Sequence, residues 1–137
     1  MTKRILTIII GLCVVLAFAG CKQENKTYED TDGEGQEVSI WLQNNDATAT
    51  GGSVKLSKGN RGIILDCNNL EKGKKAYVYL DGNISSPLAE LTPANYTFSL
   101  KLKIPRKNLD KGEHAIQVVQ FNKDEVIFCK TAHYTVE

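Results

Sequence analysis

From Tyr96 to Ile104 the chain alternates strictly. Tyr96, Phe98, Leu100, Leu102 and Ile104 are apolar, and Thr97, Ser99, Lys101 and Lys103 between them are polar. Successive side chains of a β-strand point to opposite faces, so this period of two predicts a strand with one face in a core and the other in water. The same reading predicts strands at 38–43, 52–57, 62–67, 76–80, 114–121 and 126–136. Residues that tolerate turn backbone fall in the gaps: Asn44-Asn45-Asp46, Lys58-Gly59-Asn60, Asp81-Gly82-Asn83 and Asn122-Lys123-Asp124. No stretch sustains a helical stripe. Ser86-Pro87 predicts at most one helical turn, ended by Pro93, and 105–109 another. About seven strands in one hundred residues is the count of an all-β sandwich of antiparallel strands.

Outside 38–137 the pattern changes twice. Residues 5–19 form an apolar run of fifteen behind Lys3 and Arg4. That is short of the ~20 residues needed to cross a hydrocarbon core, and matches a secretory signal with its basic head. Residues 22–37 hold no aliphatic side chain, and two basic residues face six acidic ones. Such a segment cannot offset its ordering entropy by burial, which predicts a flexible acidic spacer reaching on the order of 20 Å. The expected organisation is therefore a signal at 1–20, a spacer at 21–37 and one domain at 38–137.

The apolar run ends in Leu16-Ala17-Phe18-Ala19-Gly20-Cys21. This resembles the lipobox of bacterial lipoproteins, with small residues at the two positions before a cysteine. The resemblance implies cleavage before Cys21, a diacylglycerol on its sulfur, and a mature protein anchored by lipid to a bacterial membrane outside the cytoplasm. Two or three acyl chains on one cysteine give durable attachment, because each buried methylene contributes ~0.8 kcal/mol. Lys22 is not a retention signal of the aspartate kind, so either the plasma membrane's outer face or an outer membrane fits. Within the domain, Leu109-Asp110-Lys111-Gly112-Glu113-His114-Ala115-Ile116 is similar to the strand entry of bacterial Ig-like domains.

On the lipoprotein reading Cys13 leaves with the signal and Cys21 carries lipid, leaving Cys67 and Cys129. Export to an oxidising compartment favours their pairing, and a bridge across 62 residues would be worth about 4 kcal/mol in the chain-entropy model. The alternative is two buried free thiols. Neither cysteine has a second ligand at zinc spacing, so no metal and no cofactor is expected.

Chemistry is otherwise sparse. No nucleophile elbow, phosphate loop or calcium loop occurs, and catalysis by His114 or His133 would require carboxylates beside them in a concavity. No catalytic residue is assigned. From Lys22 onward 15 basic residues face 16 acidic ones, which disfavours a polyanion binder, and no aromatics interleave with the lysines as nucleic-acid stacking requires. The candidate binding surfaces are the outward pair Tyr77 and Tyr79, and a basic patch of Lys101, Lys103, Arg106 and Lys107; edge-guarding lysines are the competing reading of the patch. These features describe a non-enzymatic binding module that engages an envelope or extracellular protein. An inhibitor or immunity lipoprotein is the alternative, and a precursor of a signal-derived pheromone peptide a minor one.

Overall fold

The computed structural model describes residues 25–43 and 54–137. The expected signal at 1–20, Cys21 with its expected lipid, the expected Asn44-Asn45-Asp46 turn and the first residues of the expected 52–57 strand lie outside this range. The described chain is all-β. Its strands are β1 (Glu37–Leu42), β2 (Val54–Leu56), β3 (Gly62–Asn68), β4 (Ala76–Leu80), β5 (Ala89–Leu91), β6 (Thr97–Lys103), β7 (Gly112–Asn122) and β8 (Glu125–Val136). They form two sheets, one of order β1-β3-β6 and one of order β2-β8-β7-β4-β5.

Alternation explains the core between them. Val38 and Ile40 of β1, Ile63, Leu65 and Cys67 of β3, and Phe98, Leu100 and Leu102 of β6 turn one face of the smaller sheet inward. Val78, Leu80, Ile116, Val118, Phe128 and Tyr134 meet them from the larger sheet. A hundred-residue chain stabilises itself mainly by burying such faces. The polar positions of β6, including Lys101 and Lys103, are exposed on the outer face.

Three expectations are corrected. First, β2 runs parallel to β8, so the pairing is not wholly antiparallel. Second, the Ser86–Pro93 region holds the short strand β5 rather than a helical turn. Leu88 N–H donates to the Val78 carbonyl at 2.8 Å, and Ala89 to Leu91 then pair with β4; a neighbouring strand edge outweighs the weak local preference that Pro87 confers. The other expected turn is present as a 3-10 turn at Arg106–Asn108 after Pro105.

The third correction concerns the acidic spacer, whose described residues are not free. From Asn25 to Gln36 the chain lies as a strap along the outer face of the larger sheet. Lys26 N–H donates to Gly82 at 2.7 Å and Thr31 N–H to Cys129 at 2.9 Å. Segments poor in aliphatics bury little, but hydrogen bonds and one aromatic side chain hold this one.

Candidate functional site

The β-turn after β4 starts the first cluster. Asp81 and Gly82 both adopt positive φ, 50° and 75°, as the central pair of a turn closed by Asn83 N–H on the Leu80 carbonyl at 3.0 Å. Gly82 is required twice, since a Cβ there would also press on the Lys26 backbone at 3.3 Å. The turn directs the Asp81 carboxylate at β7. Its Oδ1 accepts Ala115 N–H at 3.0 Å, and its Oδ2 accepts Asn108 Nδ2 at 3.1 Å and His114 Nδ1 at 2.7 Å.

His114 Nε2 in turn lies 2.6 Å from the Asp110 carbonyl oxygen. Both partners only accept, so the arrangement favours the doubly protonated ring, in which both nitrogens donate. It stacks on Tyr134 with ring centres 4.8 Å apart, and the Tyr134 hydroxyl donates to the Asn108 carbonyl at 2.8 Å. Burial by itself would lower the His114 pKa; the bonds to Asp110 and to the Asp81 carboxylate outweigh it and raise the pKa above the usual histidine value.

His133 and Glu113 pair on the outer face at 3.3 Å, both largely exposed, and share a shallow depression with His114 and Asp81. The structure thus gathers both histidines with carboxylates. While protonated, His114 has no lone pair to take a proton or bind a metal, and it then acts as a cationic clasp between the β4 turn and the start of β7. Among the described residues no three metal-ligating side chains converge.

A stability effect follows. A group whose folded pKa is raised stabilises fully below its unfolded pKa, near 6.5, and the contribution disappears as pH rises through the folded value. Folding stability is therefore expected to fall as pH climbs above about 6.5, and His114→Gln should flatten that slope. Denaturant midpoints across pH check it, and an unchanged slope in the variant would refute the clasp.

The second cluster is aromatic and lies under the strap. Tyr77 and Tyr79 project outward from β4 as alternation predicts, with rings 5.9 Å apart and 3° from parallel. Tyr79 is nevertheless only 6% exposed. Tyr28 of the strap stacks beside it at 6.2 Å and meets Phe121 edge-on at 5.5 Å, with the Lys26 ammonium 4.8 Å from the Tyr28 ring centre. Burial first, then the neighbouring Tyr28, push the Tyr79 hydroxyl up to about 12. The exposed remainder is an open groove of about 480 Å³ lined by Tyr28, Tyr77, Ile84, Phe121, Lys123 and Asp124, within the size range of ligand sites.

Gln117 holds the strap. Its Oε1 accepts Tyr28 N–H at 3.0 Å and its Nε2 donates to the Tyr28 carbonyl at 2.7 Å, as a neighbouring strand would. Thr31 brackets Cys129, its Oγ1 accepting Cys129 N–H at 3.0 Å, and Thr131 Oγ1 donates to Asp30 Oδ1 at 2.6 Å.

The expected Cys67–Cys129 disulfide is not formed: both are buried free thiols. Cys67 points into the core between the sheets, whereas Cys129 shares the outer face of β8 with Thr131, beneath the strap and beside Tyr79 and Val119. The two sulfurs thus lie on opposite sides of the larger sheet. Burial raises both, Cys129 to about 12 with help from Asp30.

The predicted binding residues also separate. Tyr77 and Tyr79 stand on the outer face of the larger sheet, Lys101 and Lys103 on that of the smaller, and Arg106 and Lys107 on the 3-10 turn at one end. The strap residues and Gln117 were missed, although Ala115 to Phe121 carried a signal. That run is apolar at both parities with only Gln117 and Gln120 interrupting, as in a strand covered on both faces. No protein-family model matches the chain, and no curated protein matches it in sequence.

Proposed function

We propose that the chain is a lipid-anchored envelope lipoprotein whose Ig-like β-sandwich binds another envelope or extracellular protein without catalysing a reaction. The Ig-like reading draws support from the first two strands dividing between the sheets, β1 beside β3 and β2 parallel to the last strand. The lipid anchor draws on Ala19-Gly20-Cys21 behind a basic head and an apolar run. The observation that carries binding is the open aromatic groove, in which half-buried Tyr28, Tyr77 and Phe121 lie beside the charged rim of Lys123 and Asp124. Aromatic anchors within a polar rim are the usual energetic centre of a protein interface. The non-enzymatic reading draws on the lack of a nucleophile elbow, phosphate loop or calcium loop in the sequence and on His114, whose two nitrogens face acceptors, leaving only the exposed His133–Glu113 pair in that depression.

Two measurements test it. Cys21→Ala should move the protein from the detergent-soluble membrane fraction into the aqueous fraction, and a variant still fully membrane-bound argues against the anchor. Cross-linking from position 123 in intact cells should capture a discrete envelope protein, and Tyr77→Ala should reduce its yield at least ten-fold, as loss of one interface anchor at about 1.4 kcal/mol or more implies. Equal yields from both chains would count against the groove.

A further inference from the structure

The strap changes what an anchor at Cys21 does. Asn25 pairs with Asn83 in an antiparallel bridge, and Lys26 N–H is bonded to the Gly82 carbonyl. Four residue steps separate Cys21 from Asn25, and a fully extended chain spans at most about 3.6 Å per step, so Asn25 is held within about 14 Å of the lipid-bearing residue, and Asn83 within about 20 Å. A sixteen-residue free leash would have allowed any orientation. The strap allows few.

The end of the domain so held is basic. The β6 strand ends there at Lys103, opposite Gly62, and Arg61 donates to the Ile104 carbonyl beside it at 3.3 Å. Arg106 and Lys107 follow on the 3-10 turn, with Lys107 and Asn83 lining one depression. Lys111 precedes β7, and Lys26 enters from the strap. The acidic groups at this end are Asp81, bonded to the His114 cation and Asn108; Asp110; Glu113 beside His133; and Glu137 paired with Lys55. The far end carries Glu34, Glu37, Glu71, Asp124 and Glu125 among Lys72, Lys74 and Lys123, so a membrane-facing reversal would bring carboxylates to anionic headgroups.

We infer that the Lys26, Lys103, Arg106, Lys107 and Lys111 end is a docking surface for the anionic bilayer that holds the Cys21 lipid, so that the domain stands on this end and turns its β7–β8 hairpin outward. The inference rests on the lipid-anchor reading. Its occupant is fixed by the short connection and by charge, since lysines and arginines within a Debye length of an anionic surface are drawn to it.

The test uses the lipidated full chain in vesicles containing phosphatidylglycerol and a headgroup-attached quencher, with a fluorophore on Ser86→Cys or, at the far end, Lys72→Cys; buried Cys67 and Cys129 stay unlabelled. Quenching at position 86 should exceed that at 72 several-fold, and in phosphatidylcholine vesicles the excess should fall to what the short connection alone gives. Arg106→Glu with Lys107→Glu should lower the docked-to-undocked ratio at least 25-fold, at about five-fold per basic residue. Equal quenching at both positions in a chain whose mass includes the lipid overturns the docking surface alone, as does an excess that the double variant leaves unchanged. A chain recovered without lipid on Cys21 overturns the anchor and the docking surface together.

Discussion

Gln120→Ala is expected to remove about 4 kcal/mol of folding stability, the largest effect of any single polar substitution considered for this protein. Gln120 is fully buried at the edge of the core. Its Oε1 accepts Glu71 N–H at 2.8 Å, and its Nε2 donates to the Glu71 and Lys74 carbonyls, each at 2.9 Å. One amide thus satisfies three main-chain groups of the β3–β4 connection. Truncation leaves them unpaired, at about 1–3 kcal/mol for each that stays dry, and opens a cavity besides. Against a total stability of about 5–15 kcal/mol this is a large fraction. Urea unfolding should show a lower midpoint at unchanged slope. Gln120→Glu keeps the acceptor but sets a buried carboxylate against the Glu71 and Lys74 carbonyls, so it should be at least as destabilised as the alanine variant. A loss under about 1 kcal/mol in Gln120→Ala would mean that water replaces the amide and that the connection is not held this way.

Gln117→Leu is expected to release the strap and to expose the Cys129 thiol. The amide is the only side chain among those described that meets both the N–H and the carbonyl of Tyr28, and it donates to Thr131 as well, at 2.9 Å. Leucine fills the space and leaves these groups without partners, at a cost of about 2–3 kcal/mol. The chemical readout is larger. Cys129 is fully buried, and its thiol is pushed up to about 12 by burial and by Asp30. An exposed thiol has a pKa near 8.5, and only the thiolate reacts, so freeing the sulfur should speed alkylation near pH 8 by roughly 10³-fold. Cys67 lies in the core between the sheets, away from the strap, and serves as the internal standard: its rate should stay slow. If Cys129 remains as slow as Cys67 in the variant, the strap does not shield it. Because the two sulfurs face opposite sides of a sheet, both should also titrate as free thiols after denaturation without reductant.

Much of the strand layout was legible. The alternation of β6 and the short apolar runs of β3 and β4 identify their strands within a residue or so, Asp81-Gly82 marks the turn that ends β4, and Lys123-Asp124 the turn that joins β7 to β8. Strand β5 was not legible, because three residues following a proline carry no period, and they become a strand only when Val78 offers its carbonyl to Leu88. The candidate site was legible in part. Tyr77 and Tyr79 were placed outward correctly from parity. That Tyr28 covers them was not, because the strap has too few apolar residues to announce a buried face and is held instead by Gln117, eighty-nine positions away.

Apart from β5, residue order by itself determined which positions are strand, which side of most strands is apolar, and where the chain turns, because these depend on neighbours within a few residues and on a backbone period of two. It also supplied the basic head, apolar run and terminal cysteine on which the anchor reading depends. Only the tertiary structure decided which sheet each strand joins, that Cys67 and Cys129 lie on opposite faces, that His114 is clasped between Asp81 and Asp110, and that the acidic segment is a strap. Those outcomes rest on partners far apart in sequence, brought together by burial of whole faces at once, and no local pattern encodes which distant group will arrive to complete a hydrogen bond.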